Sequence, residues 1–244
     1  MQISVVIPAH NESGNLPRLI DEIRDALAGK LQYEVIVIDD GSSDDTASVL
    51  HRLRGDNPEL KVLRHRKCCG QSTSLMTGID AARGRFIGTL DGDGQNDPHD
   101  LPTMLKILEE GLSLGVVMVT GHRTKRKDSY WRLLSSRIAN RVRSSLLRDN
   151  TPDSGCGIKV FLRTNFLRIP RFDHMHRYLP ALFCRDGGKV VSTPVNHRPR
   201  VAGRSHYGTM GRLIDGIVDL AGVSWLMRRS RRPQLVTESM ENDI

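Results

Sequence analysis

Blocks of adjacent apolar, largely β-branched residues recur along the first half of the chain, each followed by a polar turn and then by apolar residues at helical spacing. Ile3-Ser4-Val5-Val6-Ile7-Pro8 is the first block, and Pro8, which cannot donate a ladder hydrogen bond, marks the end of the predicted strand. His10 to Asn15 forms a polar turn, after which Leu16, Leu19, Ile20, Ile23 and Leu27 repeat with the period of an amphipathic helix. Tyr33 to Asp39 reads as the second strand. Asp40 to Thr46 supplies turn residues and helix caps ahead of a helix over Ala47 to Leu53. A short strand is predicted at Lys61 to Arg64, a helix at Gly70 to Ala82, a fourth strand at Arg85 to Leu90, a helix at Leu101 to Glu110 and a fifth, wholly apolar strand at Gly115 to Thr120. Strands and helices alternating at this spacing predict an α/β fold with a mostly parallel sheet and helices on both faces.

In such a sheet, ligands bind beyond the carboxyl ends of the strands. The loops after Pro8, Ile38 and Leu90 all fall at that edge. Glu12, Asp39 with Asp40, and Asp91 with Asp93 are therefore expected to converge on one crevice. Two carboxylates one residue apart repel each other, by about 4 kcal/mol at 4 Å and an effective dielectric of 20, so a cation is their natural relief. Asp91, Asp93 and the side-chain carbonyl of Gln95 offer only oxygen, which suits Mg²⁺ or Mn²⁺ rather than Zn²⁺. Neither a G-x-G-x-x-G after the first strand nor a P-loop is present, so phosphates must be met by a metal and by basic side chains.

Other readings compete at several of these positions. Asp39 and Asp40 could cap the following helix, a role that also suits Asp44 and Thr46. The basic run from Arg123 to Lys127 continues with Arg132, Arg137, Arg141 and Arg143, and for Arg132, Arg141 and Arg143 a solvated helix face is expected. His51, His65 and His174 lack metal-ligand spacing and are read as surface or core residues. Cys68 and Cys69 are read as packing or loop residues before the Gly70 helix.

Composition narrows the function classes. With 244 residues, 38% of them hydrophobic and 26% charged, the chain fits one globular domain with a sizeable core. A net charge of +8 points to anionic partners: phosphates, a nucleotide, an acidic membrane face or nucleic acid. Only 5% of residues are aromatic and no nucleic-acid reader motif occurs, which argues against nucleic acid. The four cysteines form no C-x-x-C pair and are expected to be reduced, in the cytosol. No signal peptide is expected from the opening strand. The stretch Leu213 to Met227, interrupted by Asp215 and Asp219, is too short for an ordinary membrane span. Leu213, Ile214, Ile217, Val218 and Ala221 share a helical face, and Trp225 precedes Arg228-Arg229-Ser230-Arg231-Arg232. That pattern suits a helix lying on an anionic bilayer, a helix packed on the domain, or one packed on a second subunit.

Several ordered motifs carry a family resemblance. Val5-Val6-Ile7-Pro8 with Asn11-Glu12, Val37 to Thr46, and Asp91-Gly92-Asp93-Gly94-Gln95 resemble the signature set of family 2 inverting glycosyltransferases of the Rossmann-like GT-A fold. Gln95, Gly121-His122-Arg123, Ser136-Arg137 with Asn140, Asp153 to Lys159, and Arg200 to Ser205 resemble the dolichol- and polyprenol-phosphate sugar transferases. The likeness spans Ile3 to about Tyr207 and implies a catalytic domain over residues 1–207; the residue pattern beyond it predicts an amphipathic basic helix over 208–232, and the polar residues after that a disordered tail over 233–244.

The resemblance implies transfer of a hexose from GDP-mannose or a UDP-sugar to a polyprenyl phosphate, with inversion, by a peripheral enzyme at the cytoplasmic face of a membrane. Pro8, Asn11, Glu12, Asp39 and Asp40 would line the nucleotide-sugar site, with Ser205 contributing to the diphosphate. Asp91, Asp93 and Gln95 would hold Mg²⁺ or Mn²⁺. Arg123 and Arg137 would clamp the acceptor phosphate, and Arg200 would close over the donor diphosphate. A membrane-protein partner or a homo-oligomer is compatible with this picture, as is a saccharide or diglyceride acceptor. Departures from the pattern are His206 where a lysine is frequent, Cys156 where an aromatic residue is common, and Lys159 where arginine is frequent.

Overall fold

The structure is a computed structural model that describes residues 1–124, 143–147, 149, 151–199 and the backbone of 209–229, with side chains in that last segment from Gly216 onward. Its elements, in chain order, are β1 (Ile3–Ala9), α1 (Leu16–Leu27), β2 (Tyr33–Asp39), α2 (Thr46–Asp56), β3 (Leu60–Arg64), α3 (Gln71–Asp80), β4 (Phe86–Thr89), α4 (Asp100–Gly111) and β5 (Val116–Arg123). These are followed by β6 (Lys159–Leu162), α5 (Arg163–Phe166), α6 (Leu179–Arg185), β7 (Lys189–Val195) and α7 (Thr209–Arg228).

The seven strands form one sheet in the order β3-β2-β1-β4-β6-β5-β7. Every neighbouring pair is parallel except those involving β6, which runs antiparallel to both β4 and β5. Side chains alternate across the sheet with period two. Val5, Ile7, Val35 and Val37 face one apolar layer with α1 and α4, while Val6, Ile36 and Ile38 face the other with α3 and α6. Phe161 anchors the second layer, with its ring 5.7 Å from Phe166 and 5.2 Å from Phe183. Both faces are covered, as expected of parallel strands that read as continuous apolar runs.

The first five strands fall where the hydrophobic pattern predicts them; β6 and β7 carry no such signal. β6 is four residues long and opens on a lysine, and β7 is an edge strand that contains Pro194, a residue tolerated at sheet edges. The antiparallel insertion of β6 matters for the site. A strand that runs against its neighbours begins where they end, so Lys159, paired with Thr89, lands at the carboxyl edge of the sheet.

Beyond β7, Asn196 and Arg198 are fastened to the loop after β4. An isolated bridge joins Asn96 and His197, the Arg198 amide donates to the Gln95 carbonyl at 2.9 Å, and the Arg198 guanidinium pairs with Asp97 and Glu22, each at 2.6 Å.

Among the described residues, no helix is long and apolar enough to cross a membrane. α7 buries Val223 and packs Leu220, Leu226 and Met227 against the second layer. His174 bonds Asp219 at 2.8 Å, and the Arg185 guanidinium donates to the Leu226 carbonyl at 3.1 Å. The opposite side of the same helix leaves Ile217, Val218 and Trp225 61%, 65% and 61% exposed.

Candidate active site

The loop after β4 fixes its own carboxylates. The Leu90 amide still bonds Val6 across the sheet at 3.2 Å; the chain then turns through Gly94, whose φ of 71° is a left-handed conformation natural to glycine. The Gln95 amide donates to Asp93 Oδ1 at 3.1 Å, and Asn96 Oδ1 accepts the Asp91 amide at 3.0 Å. Asp91 Oδ1 accepts from the Gln71 side chain, at the first residue of α3, at 2.8 Å. Gly157 lies directly over the carboxylate: a Cβ there would stand 2.0 Å from Asp91 Oδ2.

Burial first, and then the charge of Asp93, push the Asp91 carboxyl above the usual carboxylate range, against the pull of Lys159 and Arg123. A divalent ion would relieve that strain. The donor set fits a hard cation: two carboxylates and an amide oxygen, with the Gln95 amide nitrogen turned to the Arg198 carbonyl at 3.3 Å.

Beside this loop lies a cavity of about 440 Å³ whose lining includes Pro8, Gln71, Asp91, Arg123, Arg143, Asp153, Lys159, His176 and Arg177. Its polar groups come from the start of α3, the ends of β4 and β5, the segment ahead of β6, the start of β6 and the turn before α6. Arg123 forms a two-pronged pair with Asp153, Nε to Oδ2 and Nη2 to Oδ1, each at 2.7 Å. Asp153 thus takes two of the five N–H donors of Arg123 and fixes its guanidinium in the cavity lining.

Arg143 departs from expectation. It is buried, pairs with Asp149 and donates to the Thr151 carbonyl at 2.7 Å, rather than standing on a solvated face. Asp149 lies six positions further along the chain, a spacing that gives no sign that the pair turns inward. Lys159, fully enclosed, donates to the Cys156 carbonyl, and burial pushes its ammonium below its ordinary range. His176 is pushed down to about 3, by burial first and then by Arg177, Lys159 and His174. It is thus a neutral imidazole whose Nδ1 shares a hydrogen bond of 2.8 Å with the Ser72 hydroxyl.

The loops after β1 and β2 interlock. Asn11, at a φ of 57°, accepts the Ser43 and Asp44 amides on Oδ1 at 2.8 and 3.3 Å. Glu12 accepts from Asn15 Nδ2 at 2.6 Å, and its amide donates to Thr46 Oγ1 at 2.9 Å. Asp39 accepts the Ser42 amide at 2.9 Å and lies 3.0 Å from Arg64 Nε.

The acidic groups share the sheet edge, as expected, but not one crevice. Asp39 lines a second cavity of about 1060 Å³ with Ser13, Gly14 and Arg64, while Pro8 and Asp91 line the first. Asp40 belongs to the loop's own framework: it accepts the Cys69 and Gly70 amides at 2.9 and 2.8 Å and meets His65 Nδ1 at 2.7 Å. Arg137, Arg200 and Ser205 lie outside the described residues. Gln71, Arg143, Lys159 and His176 escape a search for acidic motifs, because each reaches the site from an element that packing brings in.

Residues 4–169 match the family model described as Glycosyl transferase family 2. A dodecaprenyl-phosphate galacturonate synthase of Rhizobium johnstonii is 31% identical over 96% of this chain and 69% of its own length. An undecaprenyl-phosphate 4-deoxy-4-formamido-L-arabinose transferase of an Enterobacter species is 34% identical over 90% of this chain and 66% of its own length. The chain thus spans about two thirds of such relatives. Among solved structures, a glucosyl-3-phosphoglycerate synthase of Mycobacterium tuberculosis in complex with Mg²⁺ and UDP superposes with a TM-score of 0.67 at 19% identity, covering 91% of this chain and 79% of that one. A mannosyltransferase of Pyrobaculum calidifontis in complex with GDP-Man and Mn²⁺ gives 0.67 at 19% identity, covering 95% and 66%. At that identity these two establish the shared fold.

Proposed function

Because the chain belongs to glycosyl transferase family 2, we propose that it moves a hexosyl group from a nucleotide sugar to a polyprenyl phosphate held at a membrane surface. The observation that carries this reading is the first cavity, in which the Asp91 carboxylate faces Arg123, Arg143, Lys159 and Arg177. One end suits a metal-bound diphosphate and the other an anionic acceptor. The names of the two relatives support the acceptor class.

In this reading Asp91, Asp93 and Gln95 hold Mg²⁺ or Mn²⁺, which supplies positive charge against the diphosphate that departs from the sugar. The loops around Pro8, Asn11, Glu12 and Asp39 hold the nucleoside, a GDP or UDP carrier. Arg137 joins the acceptor end, and Arg200 with Ser205 the donor end; Arg200 follows directly on the Asn196 to Pro199 stretch held against Gln95. A phosphate monoester has a second pKa of about 6, so the acceptor is already anionic near neutral pH. No strong general base is needed. What the acceptor requires is cationic positioning that strengthens as the transition state forms, and the enclosed Lys159 and the Asp-anchored arginines are held in place for that. A saccharide hydroxyl would instead require a base and would leave these cations facing a neutral group.

The outward face of α7 completes the reading. Ile217, Val218 and Trp225 project away from the domain while Arg228 and Arg229 follow, the arrangement of an interfacial helix on an anionic bilayer. The test is a radiolabel transfer assay with a panel of nucleotide sugars in Mn²⁺, offering polyprenyl phosphate in anionic vesicles, a diglyceride and a neutral saccharide. Label is expected to move to the polyprenyl phosphate alone. Trp225→Ser combined with Ile217→Ser is expected to weaken vesicle binding and transfer to the vesicle-borne acceptor, yet preserve transfer to a short, water-soluble isoprenyl phosphate. Preferential transfer to the saccharide or diglyceride would overturn the acceptor assignment, and unchanged vesicle sedimentation of the double variant would overturn the interfacial role of α7.

A further inference from the structure

A second constellation of ligating side chains lies under the loop that joins β3 to α3, apart from the acidic pair. A carboxylate oxygen of Asp40, a ring nitrogen of His65 and Cys69 Sγ lie within 4.8 Å of one another, and the Cys68 thiol stands 3.3 Å from Asp40 Oδ2. Three ligating side chains from one loop thus surround the buried Asp40 carboxylate. We propose that Asp40, His65 and Cys69, with Cys68 in reach as a fourth ligand, form a site for a borderline-soft divalent metal of the Zn²⁺ type, distinct in chemistry from the oxygen-only Asp91 site.

The case rests on donor type, preorganisation and proton balance. Zn²⁺ favours four-coordinate sites built from sulfur, imidazole nitrogen and carboxylate oxygen, whereas Mg²⁺ and Mn²⁺ favour oxygen. The imidazole is already oriented: His65 Nε2 lies 3.0 Å from Thr77 Oγ1, an outer partner of the kind that fixes the ring and tautomer of a metal-bound histidine. In the metal-free chain Nδ1–H donates to Asp40 Oδ1 and Nε2 accepts from the Thr77 hydroxyl; on metal entry the ring proton moves to Nε2, where Thr77 Oγ1 can accept it, and frees the Nδ1 lone pair for the ion. The carboxylate is held by the Cys69 and Gly70 amides, so its position survives exchange of its other partners.

Without metal, the cluster is bridged by protons. The Cys68 S–H points at Asp40 Oδ2, and the Cys69 S–H donates to the Lys67 carbonyl at 3.2 Å. Metal entry would replace the cysteine protons, leaving thiolates on the ion and releasing those protons to solvent. Cys68 and Cys69 are solvent-accessible, which gives the ion a path in. Asp40 follows directly on Asp39 at the end of β2, so an ion here would brace the loop that borders the second cavity.

The experiment uses the full chain, stripped with chelator and titrated with Co²⁺ as a spectroscopic probe, then with Zn²⁺ in competition. A thiolate-to-cobalt charge-transfer band with intense tetrahedral d–d bands is expected, displaced by Zn²⁺ and accompanied by proton release in weak buffer. Cys69→Ser is expected to abolish the sulfur band, and Thr77→Val to weaken binding by about 10-fold or more. Asp93→Asn, at the other site, is expected to keep the band. Circular dichroism confirms that each variant is folded. If Cys69→Ser misfolds, alkylation of the folded wild-type chain replaces it, with the same loss expected. Absence of a sulfur band, or a band that persists after Cys69→Ser or alkylation, overturns the proposal. Loss of the band in Asp93→Asn does so too, since it would mean a single site.

Discussion

Gly157→Ala is expected to lower transfer by about 10²-fold or more while leaving the fold nearly as stable as before. A methyl group at this position would stand 2.0 Å from Asp91 Oδ2, 2.4 Å from its Cγ and 2.8 Å from Asn96 Oδ1. All three atoms belong to side chains, so the clash is relieved by movement of the carboxylate rather than of the backbone. That movement takes Asp91 from the Gln71 amide and displaces the ligand expected to meet the cation. Misplacement of a positioning group by about 1 Å costs on the order of 10²-fold in rate. The check is kcat/KM beside the thermal midpoint, with a stability change below about 1 kcal/mol, or roughly 2–4 °C for a domain of this size. Wild-type kcat/KM in a folded variant would remove Asp91 from the chemistry.

Gly41→Ala is expected to act on the fold instead. Gly41 has a φ of 66°, a left-handed conformation that costs other residues roughly 1–2 kcal/mol. Its Cβ would also stand 2.5 Å from the Lys67 carbonyl carbon and 2.6 Å from the Cys68 nitrogen. Both atoms are backbone, so neither can rotate away, and overpacking of that kind adds about 1–3 kcal/mol. A loss of roughly 2–5 kcal/mol is a large share of the ~5–15 kcal/mol that holds a typical domain together. Urea unfolding at constant m-value measures it. A change below about 0.5 kcal/mol, the size of an ordinary surface substitution, would show that the contact between the two loops is not rigid.

The two substitutions separate what the residues alone reveal from what packing adds. Continuous β-branched runs at Ile3 to Ile7 and Val35 to Ile38 mark buried parallel strands because such strands are covered on both faces. Asp91 and Asp93 stand out because a loop at the carboxyl edge of a parallel sheet is where ligands bind. Lys159 belongs to a motif of the family resemblance but has no signal in the hydrophobic pattern: its strand is too short to show a period, and its arrival beside Asp91 depends on antiparallel insertion between β4 and β5. The spacing of Arg143 and Asp149 gives no sign that the pair turns inward, since charge runs ordinarily face solvent.

The acidic loops likewise share an edge that topology predicts, while their division between two cavities follows from side-chain packing. His65 shows the same limit. Nothing in its sequence neighbourhood resembles ligand spacing to Asp40, 25 residues earlier, yet strand pairing sets Arg64, the residue before it, opposite Asp39.

Equilibrium binding of UDP and GDP to the wild-type chain and to Asp93→Asn, each with Mn²⁺ and with excess chelator, bears most directly on the carboxylate pair. Binding to the folded state raises apparent stability by RT ln(1 + [L]/Kd), so a thermal shift reads it without any acceptor. Expected is a clear shift for one nucleotide with the wild-type chain in Mn²⁺, which vanishes in chelator and in Asp93→Asn while the unliganded midpoints stay alike. An equal shift in chelator, or in the variant, would mean that the nucleotide is held without a cation at Asp91 and Asp93.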